Sequence, residues 1–200
     1  LVPGDLSSAA YFMAAASMLP RSDVKLLNIS LNPSRMGIVD VLRRMGANIE
    51  YEITHEEPEP FGQLRVRYSR LKGTEIGVDE IPSVIDELPL IAVVAATAEG
   101  ETIVCGADEL RIKESDRLEA LKINMDQMGI EISIFEDGFK LSGPQTFKSA
   151  VINPMGDHRI AMSFSIAALM ASRPTKILNS NCVNVSYPNF FEDLNKLVNR

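Results

Sequence analysis

Two short charged runs hold residue types suited to acid–base work on an anion: Lys113-Glu114-Ser115-Asp116-Arg117 and Asp157-His158-Arg159. Each stands just before or within an apolar helical stretch. Lys113, Glu114 and Arg117 fall at offsets of zero, one and four, which on a helix turning about 100° per residue puts all three within about a 100° arc. A carboxylate between two cations can stay ionised and act as a base, or exchange protons with a bound substrate, while the planar Arg117 guanidinium suits a carboxylate or phosphate. The plainer account is a solvated helix start with Glu114 paired to Arg117 at i,i+3, contributing about 0.3 kcal/mol.

Arg159 falls in the first turn after Asp157, where the helix dipole disfavours a cation. Free amides at a helix start together with a guanidinium make an anion site, and His158 can polarise or donate to the ligand. A salt bridge from Arg159 and a structural hydrogen bond from His158 are the plainer accounts. Asp86 reads as an N-cap, but as one of three equivalent cap positions it would lie at the same end of the fold as Asp157, which makes a shared site. Arg111 projects with Lys113 if that segment is extended. Ser115 and Asp116 point off the Lys113 arc, as caps or helix-surface residues. Cys105 reads as a buried strand residue with no base beside it. No P-loop, G-x-G-x-x-G turn or G-x-S-x-G elbow is present.

The elements that must position these residues repeat. Asp5-Leu6-Ser7-Ser8-Ala9, Asp86-Glu87-Leu88-Pro89-Leu90 and Asp157-His158-Arg159-Ile160-Ala161 each run from a capping group into an Ala-rich helix. A β-rich stretch follows each: residues 24–29, 102–105 and 175–178. A more polar helix comes next, over 34–45, 114–128 and 189–198. In the first two units it closes on Met45-Gly46-Ala47-Asn48-Ile49 and Met128-Gly129-Ile130-Glu131-Ile132, where glycine supplies the left-handed cap before a strand. Two further short strands follow, over 63–68 and 75–78, then over 139–141 and 150–152. The unit is α-β-α-β-β-β, or βαβαββ in shifted phase, and the fold class is α/β (α+β). The third unit stops at Arg200 after its second helix, so either the strands that complete it come from elsewhere or the C-terminus is simply irregular. His55 to Pro60 reads as an exposed acidic loop.

The 200 residues suit one large domain or two small ones, and 46% hydrophobic with 24% charged residues is globular. A net charge of −7 with no basic stripe argues against nucleic acid as the main partner, so an anion must be met locally. Cys105 and Cys182 lack metal or disulfide spacing and read as reduced cytosolic thiols. No apolar run reaches membrane-spanning length, and the Ala-rich run from Ala9 ends at Pro20. The start at Leu1, without a basic n-region, predicts no signal peptide and a chain that begins mid-protein. A cytoplasmic location is expected.

RIKESDRL (Arg111 to Leu118), GDHRIAM (Gly156 to Met162), PGDLSSAAYF (Pro3 to Phe12) and VSYPNFF (Val185 to Phe191) resemble the EPSP synthase family, the 3-phosphoshikimate 1-carboxyvinyltransferases, along the whole chain and in motif order. The resemblance implies an enolpyruvyl-transferase-like domain of three βαβαββ units about a pseudo-threefold axis, an inside-out α/β barrel. Intact members have two such domains with substrates between them, and residues 1–200 resemble the C-terminal one as a single domain. Its implied partner is the N-terminal domain, whose chain start crosses back to complete the third unit.

The implied reaction moves the enolpyruvyl group of phosphoenolpyruvate onto the 5-hydroxyl of shikimate 3-phosphate through a tetrahedral intermediate, with no metal or organic cofactor. By resemblance, Asp86 accepts the proton at the shikimate hydroxyls, Glu114 transfers a proton at the reacting carbon, and Lys113 binds the shikimate phosphate. Arg117 and Arg159 match the arginines that hold phosphoenolpyruvate, and Asp157 and His158 match their flank. Some members carry a Lys shortly before the Ser/Thr-Phe/Tyr-Pro stretch; at Asn184 and Val185, ahead of Ser186-Tyr187-Pro188, this chain has none. A sister enzyme acting on a UDP-amino sugar shares the fold, and RIKESDR with DHR favours the shikimate enzyme. The fragment alone is expected to be inactive, and a non-catalytic anion-binding module is the alternative from another class.

Overall fold

Alanine runs let helices approach closely, and a helix apolar on all sides must be surrounded. The computed structural model, which describes residues 2–198, follows that rule. The first unit comprises α1 (Leu6–Met18), β1 (Asp23–Ser30), α2 (Gly37–Arg44), β2 (Asn48–His55), β3 (Phe61–Arg67) and β4 (Glu75–Ile76). The second comprises α3 (Ile81–Val84), α4 (Leu88–Ala95), β5 (Gly100–Val104), α5 (Arg117–Gln127), β6 (Ser133–Ile134), β7 (Phe139–Gly143) and β8 (Val151–Ile152). The third has α6 (His158–Ala168), β9 (Lys176–Ile177) and α7 (Phe190–Val198); Arg200, where the sequence stops, lies outside the described residues.

The Ala-rich helices α1, α4 and α6 pack against one another at the centre. Every residue of α4 is buried, as is nearly all of α1. Burial of Leu90, Ile91, Val93 and Val94 contributes roughly 1.5–3 kcal/mol per side chain. No helix among the described residues is long and apolar enough to cross a membrane.

The sheets explain why the repeat reads equally well in two phases. The second sheet has the order β4-β5-β7-β6, with β4 parallel to β5 and the remaining pairs antiparallel. Its first strand therefore comes from the end of the preceding unit. In the first sheet, β1-β3-β2, a parallel bridge from Gly4 to Ile29 takes the place that β4 has in the second. The third pairs β8 with β9, again in parallel. The first and second units each hand their last strand to the next sheet. Gly46 and Gly129 close α2 and α5 at φ 93° and 73°, the left-handed turn predicted for both.

Several local expectations are corrected. The second polar helix begins at Arg117, not Glu114, because Asp116 is its N-cap, accepting from the Glu119 amide at 3.0 Å. Residues 108–112 wind instead as 3₁₀ turns, and Lys113 is extended with ψ −156°. Lys113 and Glu114 therefore lie in a bend ahead of α5, and no helical arc gathers them. Asp86 is not a cap: it lies in a 3₁₀ turn, Ile85–Glu87, that joins the unexpected α3 to α4. Arg111 does not project with Lys113, since it donates to the carbonyls of Phe135 (2.6 Å) and Glu136 (2.8 Å) and to Asp116 (3.0 Å). Cys105 is exposed; β5 ends at Val104, and strand alternation turns residue 105 outward once Thr102 and Val104 face in. The acidic stretch from His55 is exposed as expected.

Candidate active site

Asp157 begins the site. As N-cap of α6 its Oδ1 accepts from the amides of Arg159 (2.8 Å) and Ile160 (3.3 Å), while Oδ2 accepts from Arg117 Nε (2.8 Å) and Ser115 Oγ (3.3 Å). A fully buried carboxylate is tolerable only with such a set of donors. Ser115 thus takes part in the cluster, although its position in the sequence suggested a cap or surface residue.

Arg117 opens α5 and joins all three charged segments. Its Nη1 donates to Asp86 Oδ1 at 3.1 Å and its Nη2 to Glu114 Oε2 at 2.6 Å, with its side chain only 1% exposed. Burial disfavours its charge, but Asp157, Glu114 and Asp86 outweigh that and make it harder to deprotonate than an ordinary arginine. Three of its five N–H groups are thereby engaged.

Arg159 completes a second bridge. Its Nη2 lies 3.2 Å from Asp86 Oδ2, and its Nη1 donates to Glu87 Oε1 at 3.2 Å and to the Asp86 carbonyl at 3.4 Å. The salt bridge given as the plainer account of Arg159 is therefore present, while the Arg159 and Ile160 amides expected to be free are taken by Asp157. Burial raises the Asp86 carboxyl, but Arg159, Arg117 and Lys113 together hold it below its ordinary value. His158 Nδ1 lies 3.9 Å from Glu114 Oε1, and burial and the Arg159 charge lower its proton affinity, favouring neutral imidazole. Lys113 Nζ sits 3.6 Å from Glu109.

Lys113, paired with Glu109, acts on Asp86 through its charge alone, and the other six of the seven predicted residues share one cluster at the starts of α4, α5 and α6. Its outer layer is the half-exposed pair Asp86 and Glu114, with Arg117 behind them. An ionised Asp86 can accept a hydrogen bond from a hydroxyl, the outward-facing Glu114 can exchange a proton, and Lys113 and Arg159 can meet negative charge. Asn124, buried on α5, fixes the approach to Asp157: its Nδ2 donates to the Asn153 carbonyl and its Oδ1 accepts from the Asn153 amide, both at 2.9 Å.

Sequence reasoning missed Glu87, which is 5% exposed and contacts Arg159. Its signal was a second carboxylate directly before the wholly apolar Leu88-Pro89-Leu90-Ile91, where a surface residue has no room. It also missed Ser7 and Tyr11 of α1. Ser7 Oγ accepts from Arg35 Nη2 at 2.9 Å, and the buried Tyr11 hydroxyl has no hydrogen-bond partner among the described residues.

A family model described as EPSP synthase (3-phosphoshikimate 1-carboxyvinyltransferase) matches residues 1–194. The chain belongs to the EPSP synthase family. Relatives named 3-phosphoshikimate 1-carboxyvinyltransferase from Thermotoga sp. (strain RQ2) and Bacillus subtilis (strain 168) are each 46% identical over 198 residues. Those alignments take in 98% of this chain but 47% and 46% of the respective relatives. An EPSP synthase structure from Acinetobacter baumannii superposes with a TM-score of 0.93 at 38% identity, over 98% of this chain and 46% of that one. The enolpyruvyl transferase NikO from Streptomyces tendae, at 20% identity and TM-score 0.77 over 98% of this chain and 43% of that one, shares the fold. The chain thus has the enolpyruvyl-transferase fold and spans about half the length of the EPSP synthases it matches.

Proposed function

We propose that this chain is the C-terminal half of a two-domain EPSP synthase, and that its cluster forms one wall of a site closed by an N-terminal domain. The whole enzyme transfers the enolpyruvyl group of phosphoenolpyruvate to the 5-hydroxyl of shikimate 3-phosphate and releases phosphate. The observation that carries the reading is the placement of two half-exposed carboxylates, Asp86 and Glu114, on the one buried guanidinium of Arg117. Relatives at 46% identity bear the shikimate enzyme's name, which favours it over the UDP-amino-sugar reaction.

In this reading Asp86, kept ionised by its arginines, accepts the hydrogen bond of the attacking hydroxyl and receives its proton. Glu114, which draws a proton from solvent across its half-exposed face, gives that proton to the methylene carbon of phosphoenolpyruvate as the C–O bond forms. It then takes one back as the tetrahedral intermediate expels phosphate and the double bond returns. Lys113 meets the phosphate of shikimate 3-phosphate, and Arg159 meets phosphoenolpyruvate. Arg117, buried behind both carboxylates, has two N–H groups left for the same anion, which reach it once the outer Glu114 swings aside. Asp157 fixes Arg117, and neutral His158 flanks Glu114. The starts of α4 and α6 add their dipoles to the cations.

The test is phosphate release from the two substrates by the full-length protein, by residues 1–200 alone, and by full-length Glu114→Gln. Turnover is expected only with the full-length chain, and Glu114→Gln should reduce kcat by about 10²–10⁴-fold with little change in unfolding midpoint. A Glu114→Gln enzyme as fast as the parent would return Glu114 to a plain ion pair.

A further inference from the structure

We propose that Glu87 is a positioning residue for Arg159 and takes up a proton from solvent when an anionic carboxylate or phosphate group binds there. This rests on the reading that Arg159 holds phosphoenolpyruvate.

The geometry places Glu87 behind the guanidinium, on the side away from solvent. Its Oε1 accepts from Arg159 Nη1 at 3.2 Å, and the side chain is 6% exposed. From α1, the Ser7 hydroxyl and the Tyr11 ring face it; from the turn before α2 comes the Arg35 charge; from α6, Arg159; and beside it on its own turn, Asp86. Arg35 Nη2 donates to Ser7 Oγ at 2.9 Å, the Ser7 hydroxyl favours the ionised form of Glu87, and Glu87 accepts from Arg159, so a chain of polar groups leads from the rim to Arg159.

Charge counting gives the chain a purpose. Arg117 and Arg159 contact four carboxylates, those of Asp86, Glu87, Glu114 and Asp157, while Lys113 pairs with Glu109 and Arg35 with Asp5. An incoming anion makes the excess worse unless one carboxylate is neutralised. Asp157 is fixed by four donors, Asp86 is held ionised by its cations, and the proton that Glu114 takes up is the one it passes to the substrate in the reading above. Glu87 differs, because burial raises its proton affinity beyond what Ser7 and Arg159 restore. A protonated Glu87 still accepts from Arg159 through its carbonyl oxygen, and its new O–H can donate to the second lone pair of Ser7 Oγ. Arg159 thus keeps its orientation while the cluster loses one negative charge.

The experiment compares the full-length parent, Glu87→Gln and Glu87→Leu, with shikimate 3-phosphate saturating. Phosphoenolpyruvate KM and kcat are followed from pH 6 to 9, and proton uptake on binding is measured by calorimetry in two buffers of different ionisation enthalpy. The parent should take up more protons than Glu87→Gln, by up to one. Its KM should climb by as much as about tenfold per pH unit, a slope that Glu87→Gln loses. Titration of the substrate's own phosphate is common to both and cancels in the difference. Glu87→Leu, which cannot hold the guanidinium, should raise KM about tenfold or more at every pH, with a smaller change in kcat. Equal proton uptake and matching KM profiles for parent and Glu87→Gln would overturn the proposal, and Glu87→Gln decides the matter alone if Glu87→Leu fails to fold. A full-length parent that does not turn over sinks the proposed function and this inference together; parent turnover with an unchanged Glu87→Gln profile sinks only the role of Glu87.

Discussion

Two parts of this molecule interleave arginines and carboxylates at nearly the same distances, and only one looks like a site. On the first sheet, Arg65 meets Asp23 at 2.6 Å and Arg67 meets Glu50 at 2.9 Å, each pair spanning neighbouring strands. Those side chains are 30% to 64% exposed, and the ladder keeps the sheet face soluble. At the helix starts, Arg117 meets Asp157 at 2.8 Å with the pair 1% and 0% exposed. Ion-pair distance does not separate the two. What separates them is order in depth: on the sheet every partner shares the solvent, whereas in the cluster a buried cation carries an outer layer of half-exposed carboxylates. Water screens the first arrangement and leaves the second strongly coupled.

That contrast can be broken most forcefully at its two arginines. Arg117→Met strands a buried Asp157 and should cost about 3–5 kcal/mol in denaturant unfolding; a loss well below 1 kcal/mol would mean that the cluster is no more coupled than the sheet face. A smaller effect separates two adjacent carboxylates by pH. Asp86 binds its proton less readily folded than unfolded, so its contribution to stability is in place above pH 3.8 and is lost as pH falls through its lower folded value. Glu87 binds its proton more readily folded, so its contribution is full below pH 4.5 and is lost as pH rises through its higher folded value. Stability measured from pH 3 to 8 should therefore lose part of its acid limb in Asp86→Asn and part of its decline toward neutrality in Glu87→Gln. The smallest effect belongs to the sheet: Arg65→Met should leave the unfolding midpoint unresolved from the parent, and a clear drop would show that exposure is a poor divider.

How much of this was legible in the sequence depended on how local the cause was. Asp5 and Asp157 were readable as caps because a cap satisfies amides within three residues of itself, and both do so. The glycine turns after α2 and α5 were readable for the same reason. Asp86 was misread because its partners lie on other helices, Arg117 at 3.1 Å and Arg159 at 3.2 Å, and two arginines outcompete an amide. The grouping of Lys113, Glu114 and Arg117 on one helical arc is only partly met: the Asp116 cap delays the helix, the bend brings Glu114 to Arg117, and Lys113 turns to Glu109. Glu87 was hidden because burial depends on what packs against α4, and neither α1 nor α6 is near it in sequence.

The Asn124 amide joins α5 to the strand end that leads into Asp157 by a reciprocal pair of bonds, and Arg117 joins the same two segments a few residues away. Between these two ties the guanidinium has one place to be before any ligand arrives. The rotamer freedom of an arginine, about 1.5–2 kcal/mol at 25 °C, is therefore surrendered during folding and not at the moment of encounter. A ligand reaching this surface meets a preorganised wall, and the ordering that its binding still requires must come from whatever faces that wall.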